Sequence, residues 1–131
     1  MTNDIKLNLI NIISRFILAF VFLYHGIVPK ILWLDSTEIL LIELHNLSFK
    51  TEHVAMLGGA FEIVLAVLVI FYKKSLLPIY TTIILFIVLL IDVSIIQPNL
   101  LIKAFNPLTM NVMSISLGVI IILSDRNKEI L

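Results

Sequence analysis

Four long apolar stretches, residues 7–28, 54–72, 76–96 and 108–124, take up most of this chain. A helix needs about 20 consecutive apolar residues to cross the hydrocarbon core of a bilayer, and each stretch is close to that length. A soluble fold has to wrap such segments in a wetted polar surface. Only 14% of the residues are charged and 60% are hydrophobic, against roughly 25% and 45–50% in soluble domains, so the chain lacks the polar residues for such a coat. Mean hydropathy is +1.13. The sequence predicts an all-α integral membrane protein, a bundle of four transmembrane helices forming a single domain over residues 1–131.

The ends of the stretches carry their own punctuation. Pro29-Lys30, Lys73-Lys74, Gln97-Pro98-Asn99 and Asp125-Arg126 close them, and Asn106-Pro107 opens the fourth, proline being well suited to the first helical position. The first stretch is too long, and lacks a small-x-small cleavage pattern, to read as a signal peptide. Lys6, Lys73, Lys74, Arg126 and Lys128 fall on one side of the membrane, and Lys30, Lys50 and Lys103 on the other. By the positive-inside rule the first set is cytoplasmic, with both termini. The long loop, residues 31–53, then lies outside. Its Asp35-Ser36-Thr37-Glu38 run can cap a helix, followed by Ile39, Leu40, Ile42, Leu44 and Leu47, and Trp33 suits headgroup depth. A short interfacial helix is expected there.

Composition excludes several functions. Zero net charge offers no basic footprint for nucleic acid. The absence of cysteine excludes disulfides and thiolate chemistry in this chain. No phosphate loop, dinucleotide fingerprint, triad pattern or zinc-protease motif occurs. Any chemistry therefore belongs to a cofactor or a partner. No metal-ligand spacing is present either; His45 and His53 read as solvated loop residues, and a single intramembrane histidine does not suit haem.

The information sits in the polar exceptions. Arg15, Glu62 and Asp92 fall inside the stretches, where a central charge costs at least about 2.5–3.5 kcal/mol and is seldom idle. At about 1.5 Å per residue, Arg15 and Glu62 lie roughly 12 and 15 Å from the inner boundary, which makes them a candidate buried ion pair. Such a pair either fixes helix register or marks a ligand or proton site. A second layer, in the outer half, gathers His25, Lys30, Asp92, Asn106 and Asn111. His25 with Asp92 either relays protons or orients a quinone carbonyl, or simply faces water at the rim. Small and polar residues also share helical faces. These are Arg15, Ala19, Phe22 and Gly26; Ala55, Gly58, Glu62 and Ala66; Thr81, Leu85, Val88 and Asp92; and Asn111, Ser114 and Gly118. Small residues let helices approach closely.

Four short runs carry a resemblance: Ser14-Arg15-Phe16, Tyr24-His25-Gly26-Ile27-Val28-Pro29-Lys30, Gly58-Gly59-Ala60-Phe61-Glu62 and Phe105-Asn106-Pro107-Leu108. In order and spacing they resemble the DoxX-like membrane proteins, related to the DoxX and DoxD group. The resemblance implies a bacterial inner-membrane protein. Its relatives include subunits of a thiosulfate:quinone oxidoreductase, membrane partners of redox-defence enzymes and membrane chaperones. It assigns no catalytic residue here. The first expectation is a non-catalytic membrane subunit or scaffold for a partner enzyme, with the lipid bilayer, a protein partner or further copies of itself as associates. The second is a quinone-binding redox subunit. The third is a small transporter proton-coupled through Glu62.

Overall fold

A computed structural model describes residues 2–125 and places five α-helices. They are α1 (Asn3–Ile27), α2 (Ser36–Leu44), α3 (Thr51–Phe71), α4 (Leu77–Ile96) and α5 (Pro107–Ser124). No strand occurs among the described residues. Four helices are long and apolar enough to cross a membrane: α1 with its extension to Leu32, then α3, α4 and α5. The chain is an integral membrane protein built as a four-helix bundle. The link between α3 and α4 and both ends of the described chain lie at one end of the bundle, here the termini end. The connections 28–50 and 97–106 lie at the other, the loop end. The expected cytoplasmic markers Arg126 and Lys128 lie outside the described residues.

The first span differs from expectation at Pro29. The helix does not stop there but widens into a π turn over Val28–Leu32, closed by Trp33 N–H donating to Val28 O at 3.0 Å. Proline has no N–H and its ring crowds the carbonyl four residues back; a wider turn accommodates both and keeps the chain helical. α2 forms where its capping run predicted, with the Asp35 side chain accepting from Thr37 N–H at 2.8 Å. It ends in the left-handed region at Asn46, φ 49°, a position that asparagine tolerates. α5 starts at Pro107, with the Asn106 side chain accepting from Thr109 N–H at 2.9 Å.

α1 packs against α3 and α5, and α4 against α5, while α2 rests on α3 and α4 at the loop end. The core is Leu18, Ala19 and Phe22 of α1, Leu65, Ala66 and Val69 of α3, Ile79 and Phe86 of α4, and Ile121 of α5. Phe22 and Phe86 meet across it, ring centroids 4.8 Å apart. The large apolar side chains on the outer faces, such as Phe16, Leu57, Ile84 and Leu123, are exposed, as lipid contact requires.

The faces expected on α1 and α5 are the buried ones, Arg15, Ala19, Phe22 and Gly26 on α1 and Asn111, Ser114 and Gly118 on α5. Two faces need correction. On α3 the close approach belongs to Gly59 and not Gly58. A Cβ at Gly59 would lie 2.5 Å from Gly26 O, while one at Gly58 meets nothing within 4 Å. On α4 the buried line is Ile79, Thr82, Phe86 and Val93, with Val88 exposed. Asp92 therefore sits on the flank of α4. The polar residues Thr81 and Asp92 fall off this line, and Thr82, the polar residue on it, is satisfied within α4 by donating to Ile79 O at 2.8 Å.

Candidate functional site

Arg15 and Glu62 are both buried, at 3% and 6% exposure, but they do not pair with each other. Arg15 Nε donates to Asn11 Oδ1 at 2.9 Å, Nη1 donates to Val69 O at 2.8 Å, and Nη2 lies 3.6 Å from Asp125 Oδ2. Asn11 Nδ2 continues the network to Ile121 O at 3.0 Å and Ser124 Oγ at 3.1 Å. This cluster ties α1, α3 and α5 together at the termini end. The equal-depth estimate failed because α1 begins at Asn3 and overshoots α3 there. Arg15 comes level with Val69, seven positions along α3 from Glu62, which is about 10 Å at the helical rise. Asn11 gave a usable signal, since i and i+4 share a face and Arg15 follows it at that spacing.

Glu62 instead takes Lys30. The π turn carries Lys30 inward, and Nζ donates to Glu62 Oε1. Glu38 Oε2 of α2 lies 3.9 Å from the same ammonium. The side chains of Lys30 and Glu62 are 13% and 8% exposed. Gly26 and Gly59 make this meeting possible, because their missing Cβ atoms let α1 and α3 touch backbone to backbone beside it. Glu62 Oε2 is buried without a hydrogen-bond partner among the described residues. Burial holds the Glu38 carboxyl above its usual range; the Lys30 ammonium acts in the opposite direction, and Glu62 and Asp35 add to the rise.

Beside this trio lies a cavity of about 510 Å³ at the loop end. Lys30, Glu38, Glu62, His25 and Asn111 line it, as do the apolar Phe22, Phe86, Val93 and Met110. Asn106 and Lys103, on the connection between α4 and α5, line it too. Asn111 is held by its Nδ2, which donates to Phe86 O at 3.4 Å. Of the outer-half group expected from the sequence, His25, Lys30, Asn106 and Asn111 converge here.

Asp92 does not join them. Its Oδ1 lies 3.0 Å from His45 Nε2, while His45 Nδ1 lies 2.7 Å from Leu41 O. Asp92 reaches away from His25 because it sits on the flank of α4, toward α2. His45 is thus more than a solvated loop residue: it fastens α2 to the end of α4. With an acceptor at each ring nitrogen, the imidazolium is favoured. The pKa of His45 is raised above 6.5, first by the Leu41 carbonyl and then by Asp92. The charge-assisted pair of bonds is favoured below 6.5, and as pH rises through the raised value the neutral ring keeps one N–H for two acceptors and loses one of the two bonds. An NMR titration of the His45 ring is expected to give a midpoint above 6.5 that falls in Asp92→Asn; an unchanged midpoint in that variant rules out the contact.

A family model described as the DoxX-like family matches residues 19–119. The chain belongs to the DoxX-like family. Within this DoxX-like protein the matched residues take in the whole Lys30–Glu62–Glu38 trio, His25 and Asn111, and leave out Arg15. No curated protein and no solved structure matches the chain. No cluster of metal-ligating side chains occurs among the described residues.

Proposed function

We propose that this DoxX-like protein is a non-catalytic membrane subunit that holds a small lipid-soluble ring compound of the quinone class for a partner redox enzyme. The observation that carries the reading is the cavity: largely apolar walls, a volume in the roughly 300–1,000 Å³ range of ligand pockets, and a few polar groups among its lining, Glu62, His25 and Asn111 with them. The orphaned oxygen of Glu62 supports it, since a buried acceptor without a donor is costly and a bound head group supplies what the protein does not. His25 and Asn111 would hold the ring oxygens, Glu62 would accept from a ring hydroxyl in the reduced form, and Phe22 and Phe86 would flank the ring. A bound quinone contributes two-electron redox chemistry. The partner supplies the other half of that chemistry, because this chain has no cysteine thiol with which to pass electrons.

The same reading places both termini in the cytoplasm of a bacterial cell, with the cavity toward the outer leaflet of the inner membrane. Lys6, Lys73 and Lys74 stand at the termini end, and at the loop end Lys30 is consumed by Glu62. That leaves Lys50 and Lys103 as the uncommitted basic residues at the loop end among the described residues, against Lys6, Lys73 and Lys74.

Native mass spectrometry of the protein, extracted gently from its own membrane, tests the proposal. A quinone bound near one per chain is the expected result. A protein partner co-purifying without any quinone would favour a pure scaffold and reject ligand binding.

A further inference from the structure

The charged groups around Lys30 are lopsided, although Lys103, Thr37 and Thr109 bring further donors elsewhere on the cavity wall. A carboxylate only accepts, through about four lone-pair sites, and an ammonium only donates, through three hydrogens. Two carboxylates, Glu62 and Glu38, face the single ammonium of Lys30. Glu62 is 6% exposed, lines the cavity and has one oxygen with no donor among the described residues. Asn111 spends one amide hydrogen on Phe86 O, which leaves its carbonyl oxygen as an acceptor and its second amide hydrogen as a donor. His25 adds one acceptor and one donor when neutral. The acceptor left without a donor among the described residues is Glu62 Oε2.

We infer that the site selects the hydroxyl-bearing, reduced form of its ligand: a membrane-soluble hydroquinone in preference to the corresponding quinone. This rests on the quinone-class reading above and adds the redox state that the residues recognise. A hydroquinone hydroxyl provides the donor that Glu62 lacks. A quinone carbonyl offers only lone pairs, and near that carboxylate it sets acceptor against acceptor. A protonated amine would also donate and would offset the second carboxylate, but it has to leave water as a full charge to enter a site inside the membrane. A neutral hydroxyl brings no such charge. Hydrogen bonds to ionised acceptors are worth more than neutral ones, and one of them corresponds to about tenfold to a hundredfold in affinity.

The test is calorimetric titration of the full chain in phosphatidylcholine nanodiscs. The probes are a benzoquinone with one isoprenoid unit and its hydroquinone, the latter under anaerobic reducing conditions. The hydroquinone is expected to bind at least about tenfold more tightly. In Glu62→Gln, whose amide both donates and accepts, most of that preference is expected to vanish. Equal or tighter binding of the quinone by the unaltered protein overturns the inference while leaving the quinone-class reading in place. Binding of neither overturns both. A folded Glu62→Gln protein that keeps the full preference overturns the role given to Glu62. The wild-type comparison decides on its own should that variant fail to fold.

Discussion

Gly59→Val and Gly26→Val are each expected to destabilise the bundle by about 3 kcal/mol or more, the upper end of what overpacking a well-filled interior costs. The reason is what the new atoms meet. A Cβ at Gly26 falls 2.6 Å from Gly59 O, and one at Gly59 falls 2.5 Å from Gly26 O. Both obstacles are backbone carbonyls, held in helical hydrogen bonds and unable to rotate aside. Relief requires α1 and α3 to separate, and separation pulls Lys30 from Glu62, because the glycines flank that pair. Gly118→Ala is expected to cost less. Its Cβ would meet the Ile83 side chain at 2.7 and 2.9 Å, and a side-chain end can move. Gly58→Ala is expected to be nearly neutral, with open space around it. Denaturation of the four variants in mixed micelles checks the order. A Gly59→Val protein as stable as Gly58→Ala would mean that the helices do not touch there.

Much of this arrangement is legible in the sequence, and the parts that are not share a cause. Span number, the capping of α2 by Asp35 and the start of α5 at Asn106-Pro107 depend on a residue and its near neighbours, so local rules reach them. The buried faces of α1 and α5 follow from helical spacing because their polar residues have nowhere else to go. The pairing of charges does not follow, because it depends on how far one helix slides along another. The extra turn at the start of α1 moves Arg15 to the level of Val69, and the π turn at Pro29 brings Lys30 down to Glu62. Proline at the end of an apolar run reads as a stop; only the tertiary demand of a buried carboxylate shows why the helix continues through it. Asp92 meets His45 and not His25 for a similar reason. Height along the bundle does not reveal which flank of α4 carries it, and α2, whose position no periodicity fixes, brings His45 alongside.

Lys30→Met should be the most damaging single substitution at the loop end, at about 3–5 kcal/mol, the cost of removing one partner from a buried ion pair. Glu62 sits at 6% exposure with Oε2 already lacking a donor, so loss of the ammonium strips the carboxylate of its one charged hydrogen bond. The reverse change should be milder. In Glu62→Met the ammonium keeps Glu38, 3.9 Å away and on the more exposed side, and a lysine can extend its charge toward water along its own stem. The double variant Lys30→Met/Glu62→Met removes both charges together, and apolar replacement of a whole buried pair is often neutral or stabilising. The expected stability order is therefore the double variant at or near the unaltered protein, then Glu62→Met, then Lys30→Met. Unfolding midpoints in detergent give that order directly. Were Glu62→Met the worst of the three, Lys30 and not Glu62 would be the charge that depends on the pair, and Glu38 would be no substitute partner. The double variant also separates stability from function: a bundle as stable as the original that no longer retains quinone would show that the two charges are kept for the ligand, at no benefit to the fold.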